Sequence, residues 1–272
     1  MSLNTGASVF GDRLKDWRSL RKVSQLDLAL TAEVSQRHVS WLETGKSKPS
    51  RRMVVQLADA LDVPLRERNS WLTAAGFAPI YRQTNVDEPE MRPVAQALDL
   101  ILTHHDPMPA VVLNRRWEVQ KTNQAANQLL GLLGPEEEVW QRVGGGPERN
   151  LVRLTLHPNG LRPLITNWDE LLPAFVSRLR REARSAGSAA EVAELEALLE
   201  LTGPARIPEP SLDKPLLPIL PLRLQAGDVE LRLFSVIATF GTPQDVTVDD
   251  LRIESFFPMD NQTREFFESL AT

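Results

Sequence analysis

The sequence predicts two domains of different class: an all-α domain, then an α+β domain built on an antiparallel sheet with a helical insertion. Three observations carry this. Residues 10–75 hold five short segments of helical apolar period, with only a few residues between them. A proline-broken stretch then interrupts the periodicity at 76–93. Beyond it, strand-like runs fall at 109–122 and 219–258, with helical patterns between.

In the first domain, Phe10, Leu14 and Trp17 recur at helical spacing up to Lys22-Val23. Ser24 is placed to cap a second helix, with Asp27 in the capping-box position and Leu28 and Ala29 inward. Ser35 caps a third, which turns Val39 and Leu42 inward and stops at Gly45, a C′ glycine. Ser50 caps a fourth bearing Val54, Leu57, Ala58 and Leu61. A fifth, near 65–75, collects Leu65, Trp71 and Leu72 on one side. Connections this short make a compact helical domain.

GFAPIYRQTNVDEPEMRP, residues 76–93, reads as the connection between domains. The expected bounds are 1–78 for the first domain, 79–92 for the linker and 93–272 for the second domain. There, VAQALDLILTH is helical, and PAVVLN and WEVQKT are strands joined tightly at Arg115-Arg116. Asn123 caps NQAANQLLGLL. Helical stretches follow, among them WDELLPAFVSRLRREARS and AAEVAELEALLEL. ILPLRLQA, VELRLFSVIATFG and LRIESFFP return to strands, the first two joined by a hairpin at Ala226-Gly227-Asp228. NQTREFFESLA closes as a helix, and the sheet is expected to carry its helices on one side.

Composition narrows the function. The chain has no cysteine, which excludes disulfides, thiolate metal sites and cysteine nucleophiles. No apolar run reaches the roughly 18 residues of a membrane helix, and the N-terminus lacks a secretory apolar region, so a cytoplasmic protein is expected, with no membrane partner. The net charge of −5 conceals an asymmetry: residues 1–80 hold 12 Lys+Arg against 8 Asp+Glu, so the acidity lies in the remainder. A basic first third suits a polyanionic partner at that end.

The sharpest motif is SQRHVSWLETGKSKPS, residues 35–50. Two helices a few residues apart, the second short and serine-capped, form the layout of a helix-turn-helix. With Val39 and Leu42 inward, Ser35, Gln36, Arg37, Ser40 and Trp41 are left outward around the start of the second helix. That is where a recognition helix reads base edges. Arg pairs bidentately with guanine and Gln with adenine. Ser35 and Gln25 sit at helix starts, whose backbone N–H groups attract phosphate. Lys46, Lys48 and Arg51 follow in the basic loop as phosphate contacts. Trp41 has two readings, a contact with sugar or thymine methyl at the groove edge, or packing against the fourth helix or the second domain.

The stretch SQLDLALTAEVSQRHVSWLETGKSKPS resembles the helix-turn-helix of the xenobiotic-response-element-like (XRE) regulators and lambdoid phage repressors. The matching residues are Ser24-Gln25, Leu28-Ala29, Val34-Ser35, Leu42-Glu43, Gly45 and Pro49, over about 65 residues. The resemblance implies a lambda-repressor-like domain and an internal ion pair between Arg18 and Glu43. Lys22 and Glu33 stand where such sequences often have glycine. If left-handed, each costs roughly 1 kcal/mol.

The second domain is similar to the ligand-binding domain of MmyB-like regulators through PMPAVVLNRRWEVQKTNQAANQLL, NLVRLTLHPNGLRPLITNW and FGTPQDVTVDDLRIESFFP. The resemblance implies a PAS-like fold and a pocket for a small, fatty acid-like apolar ligand. The sheet face proposed to line it includes Val111, Leu113, Val236 and Phe240. Arg153, His157 and Arg162 can anchor a carboxylate head, although the two arginines equally suit surface ion pairs. Asn167 reads as a helix cap before Trp168.

No cofactor, metal site or catalytic residue is expected. His104-His105 lies at a helix end, where the dipole favours histidine, and Gly144-Gly145-Gly146 follows no strand and precedes no Lys-Ser/Thr. The expected function is a DNA-binding regulator acting as a homodimer on a double-stranded operator, with a ligand-modulated second domain. The alternative is a second domain that only dimerises or binds protein. An enzyme would need a nucleophile–base pair in residues 92–272, and none is seen.

Overall fold

The computed structural model describes residues 5–144, 148–184, 189–203 and 219–271; Gly145 and Gly146 of the glycine loop lie outside them. Two compact units are present, and the division is not a single cut. One comprises Met1–Thr84 with Thr242–Asp249, the other Asn85–Gly241 with Asp250–Thr272. No helix among the described residues is long and apolar enough to cross a membrane.

The first unit contains α1 (Thr5–Leu20), α2 (Gln25–Thr31), α3 (Gln36–Glu43), α4 (Arg51–Ala60) and α5 (Leu65–Ala74). Local chemistry sets their starts. The Ser24 hydroxyl accepts from Asp27 N–H while the Asp27 carboxylate accepts from Ser24 N–H, closing the capping box. Ser35 Oγ accepts from His38 N–H and Ser50 Oγ from Met53 N–H, each at 3.2 Å. Gly45, at φ +68°, ends α3. Lys22 and Glu33 are left-handed, at φ 56° and 49°, a conformation that glycine adopts without steric cost. Phe10, Leu14, Leu28, Val39, Leu42, Val54, Leu57, Trp71 and Leu72 form the core of this unit.

One close approach has no local sequence signal. At Gly11, α1 runs so near the end of α3 that an added Cβ would lie 2.5 Å from Leu42 O. Glycine is what allows the two backbones to meet.

The second unit opens with α6 (Arg92–His105), β1 (Ala110–Leu113), β2 (Val119–Thr122) and α7 (Gln124–Gly131). Four helices of the insertion follow: α8 (Glu136–Arg142), α9 (Leu151–Leu156), α10 (Trp168–Arg184) and α11 (Ala189–Glu200). β3 (Leu222–Ala226), β4 (Val229–Ala238), β5 (Arg252–Pro258) and α13 (Asn261–Leu270) complete the unit, while α12 (Val246–Asp250), between β4 and β5, belongs to the first unit except for its last residue. The five strands pair antiparallel in the order β2-β1-β5-β4-β3, with a helical insertion between β2 and β3. This is the PAS-like arrangement that the sequence resemblance implies.

Two expectations are corrected. The sheet carries helices on both faces: Leu98 and Leu102 of α6 pack on Ala110, Val112 and Ile253, opposite the face bearing Val111. All four residues of β1 are apolar and buried, which is what a strand covered on both faces requires. Asn167 ties α10 to β3 rather than capping α10 with its side chain. Its Nδ2 donates to Pro221 O at 2.7 Å and its Oδ1 accepts from Arg223 N–H at 3.1 Å.

Candidate nucleic-acid interface and ligand cavity

In the first unit, α3 is fastened from behind. Glu43, at its last turn, accepts from Arg18 Nε at 2.6 Å and Arg18 Nη2 at 3.1 Å. Gln25 Nε2 donates to the same carboxylate at 2.7 Å. Glu43 raises the pKa of Arg18, chiefly through this hydrogen bonding, so the guanidinium stays charged. The Gln25 side chain is thereby held on Glu43 as an internal brace, which leaves only its backbone for the expected phosphate contact. Its backbone still opens α2.

The outward face of α3 keeps what the fastening does not use. Ser35, Gln36, Arg37 and Trp41 are exposed and Ser40 is half-buried; Lys46, Lys48 and Arg51 are exposed on the loop and at the start of α4. The Arg37 guanidinium lies 4.2 Å from the Trp41 ring centroid. The stack restricts Arg37 while leaving its donor edge available, and both side chains are one helical turn apart. Trp41 thus packs on its own helix, through Arg37, and remains 38% exposed.

The second unit encloses a cavity of about 360 Å³ on the Val111 face of the sheet. Leu129, Leu151, Leu161, Phe175, Leu222 and Phe256 contribute apolar wall, and Arg178, Ser235 and Glu254 contribute polar groups. Trp117, also on the wall, lies between two guanidinium groups, Arg178 at 4.1 Å and Arg252 at 4.9 Å from its ring. Its Nε1 donates to Glu182 Oε2 at 2.7 Å. Glu182 Oε1 accepts from Arg252 Nη1 at 3.1 Å and, more weakly, from Arg178 Nε at 3.4 Å. Trp117 holds a left-handed backbone at φ 64°, an outlier for so bulky a residue. Such strain persists where the surroundings enforce it and concentrates at functional sites.

Glu254 sits at this end almost wholly out of water. Burial raises its pKa, against the opposing influence of a hydrogen bond with Ser235 and the charges of Arg178 and Arg252. Glu182 pairs with both Arg178 and Arg252 and so ties α10 to β5 beside the cavity.

Of the residues expected to bind ligand, Val111 lines the cavity, and Leu113, Arg153, His157, Arg162, Val236 and Phe240 do not. Strand parity explains the apolar misses. Val111 pairs with Glu254, and Glu254 with Ile237; Val236 pairs one residue out of step, with Ser255 opposite Ala110. Val236 is consequently on the other face and exposed, and Phe240 joins the α6 cluster there. Leu113 is fully buried in the core. Arg162 stacks on Trp168 at 4.9 Å, and His157 Nδ1 accepts from Asn159 N–H. Burial and the neighbouring Arg153 charge lower the pKa of His157, the opposite of an imidazole held as a cation. Arg178 and Glu254 line the cavity and lie outside the expected set. The available signal is an acid, Glu254, at the centre of a strand pattern, LRIESFFP, whose only other charged residue is Arg252.

Among the described residues, no three His, Asp or Glu side chains gather as a metal site. The architecture is that of a helix-turn-helix domain joined to a small-molecule-binding type of domain. Comparison with protein families gives both parts: residues 9–71 match a helix-turn-helix domain, and residues 94–270 match the MmyB-like transcription regulator ligand binding domain. The second match spans more than half of the chain, and the protein belongs to that family of transcription regulators. No curated protein matches. A solved structure, an RNA-binding light-oxygen-voltage receptor, aligns at 13% identity over 97% of this chain and 64% of that one. Its TM-score of 0.27 is too low to bear on fold or function.

Proposed function

We propose that the protein is a sequence-specific DNA-binding transcription regulator of the cytoplasm, acting as a homodimer on a double-stranded operator. Its operator affinity is set by a small apolar ligand with an acidic head, a medium- or long-chain fatty acid, in the cavity of the second unit. The observation that carries the ligand reading is the composition of that cavity. Its walls are apolar, its volume of about 360 Å³ falls in the range of small-molecule sites, and it ends on Arg178. The head belongs with Arg178, Ser235 and Glu254; a tail fills the apolar remainder.

For DNA, support comes from the exposed row Ser35, Gln36, Arg37 and Trp41 on a helix braced from behind, with Lys46, Lys48 and Arg51 beside it. Gln36 and Arg37 read bases, and the cations position the phosphates. One short recognition helix reads too few base pairs alone, and a second copy supplies the other half-site.

Two measurements test the reading. Arg37→Ala is expected to cost about 1–3 kcal/mol on an operator recovered by selection and to relax one base position, whereas Lys46→Ala lowers the slope of log K against log salt by about one on any DNA. Equal losses for Arg37→Ala on operator and random DNA would make Arg37 a phosphate contact. Arg178→Ala should weaken dodecanoate binding by about 1.5–3 kcal/mol, the worth of a hydrogen bond to a charged group, and leave dodecanol nearly unaffected. Identical losses for acid and alcohol would remove the head from Arg178.

A further inference from the structure

The segment Thr242–Asp249 joins β4 to β5, yet it folds inside the compact unit that contains the helix-turn-helix. Its attachment is specific. α5 starts behind Pro64, which provides no side-chain cap. The missing acceptor comes from Asp249, whose Oδ2 accepts Leu65 N–H at 2.8 Å. Asp245 makes a second anchor: its Oδ2 accepts from Thr84 N–H at 3.1 Å and from Thr84 Oγ1 at 2.6 Å. Thr247 Oγ1 donates to Thr84 O at 2.7 Å, and Val246 N–H to Arg82 O at 2.8 Å. Val246 is buried, so the segment is packed as well as hydrogen-bonded.

Both ends of this segment lead to functional parts. Along the chain it is continuous with β4 and β5, which supply Ser235, Glu254 and Phe256 to the cavity. Within its own unit it holds the start of α5. Trp71 of α5 meets Phe10 of α1 edge to face at 5.8 Å, and α1 holds α3 through Arg18 and Glu43. A chain of packed, hydrogen-bonded elements therefore runs from the segment to the recognition helix.

We propose that Thr242–Asp249 is the strap by which occupancy of the cavity alters DNA binding, with Asp245 and Asp249 as its positioning residues. The proposal rests on the reading that a ligand fills the cavity. Filling the cavity moves β4 and β5 at the ligand's polar end, the strap transmits the shift, and α5 and the helices packed on it respond.

The test uses the full chain with two ways of filling the cavity: dodecanoate, and a Thr155→Phe substitution that needs no ligand. Filling should change operator affinity by about 5- to 150-fold, the usual span of coupling between sites. It should also change amide exchange at Leu65, a readout confined to the strap's anchor. In Asp245→Asn/Asp249→Asn, and separately in Thr84→Val, dodecanoate should still bind while its effect on operator affinity shrinks to within about twofold, a coupling near zero. A merely structural cap would weaken α5 equally in filled and empty forms, and the ratio between them would stay at its original value. That result overturns the strap alone. If filling alters neither operator affinity nor Leu65 exchange in the unsubstituted chain, the strap falls together with the regulatory reading.

Discussion

Replacing Glu43 by alanine is expected to cost about 3–5 kcal/mol of folding stability, the scale for removing one partner of a buried ion pair. The Glu43 side chain is only 3% exposed and that of Arg18 14%. Alanine would strand the guanidinium, leaving it the Val23 carbonyl at 2.9 Å, and would release Gln25 as well. The loss follows from an uncompensated charge and says nothing about the net worth of the pair. Glu43→Gln keeps the shape and restores part of the hydrogen bonding, so it should fall between. Denaturant unfolding measures both, and a cost below about 1 kcal/mol for Glu43→Ala would mark the pair as effectively solvated.

Gly11→Ala decides between two opposing effects. Helix propensity alone predicts a gain of roughly 0.5–1 kcal/mol, because alanine replaces glycine inside α1. The packing predicts a larger loss: the new Cβ would stand 2.5 Å from Leu42 O and 2.7 Å from Glu43 O. Both obstacles are backbone atoms of the last turn of α3, and neither can rotate away. We expect a net destabilisation of about 1–3 kcal/mol, the range for overpacking. Operator affinity should fall with it, because α3 must move off α1. A Gly11→Ala protein more stable than the original would disprove the close approach of the two helices.

These two residues show what the sequence could and could not reveal. The starts of α2, α3 and α4 were legible because each is set by a serine bonding within three residues, and α3 ends at a glycine that adopts positive φ. The same locality let the outward row from Ser35 to Trp41 be read from the inward positions of Val39 and Leu42. Gly11 offered no such signal, because its reason lies on another helix. The cavity was harder still. Apolar strands on a sheet covered on both faces look alike in either phase, so Val236 was placed with Val111 although pairing puts it on the opposite face. The polar end depends on Arg178 from α10 meeting Trp117 after β1 and Arg252 on β5, three distant positions that only the fold brings together. Arg153 and Arg162 have the chemistry expected of a head anchor but do not line this cavity. The strap was invisible for the same reason, since every bond that defines it spans a long sequence separation, such as Leu65 to Asp249.

The central claim is that a molecule in the cavity changes how tightly the helix-turn-helix holds its operator. Its most direct test is the affinity of the full-length protein for a selected operator and for random DNA, with and without saturating dodecanoate. The expected result is an operator bound at least about 10³-fold more tightly than random DNA, with dodecanoate shifting the operator constant by about 5- to 150-fold. Equal affinity for both DNAs, or an operator constant unmoved while bound dodecanoate raises the melting temperature, would contradict it.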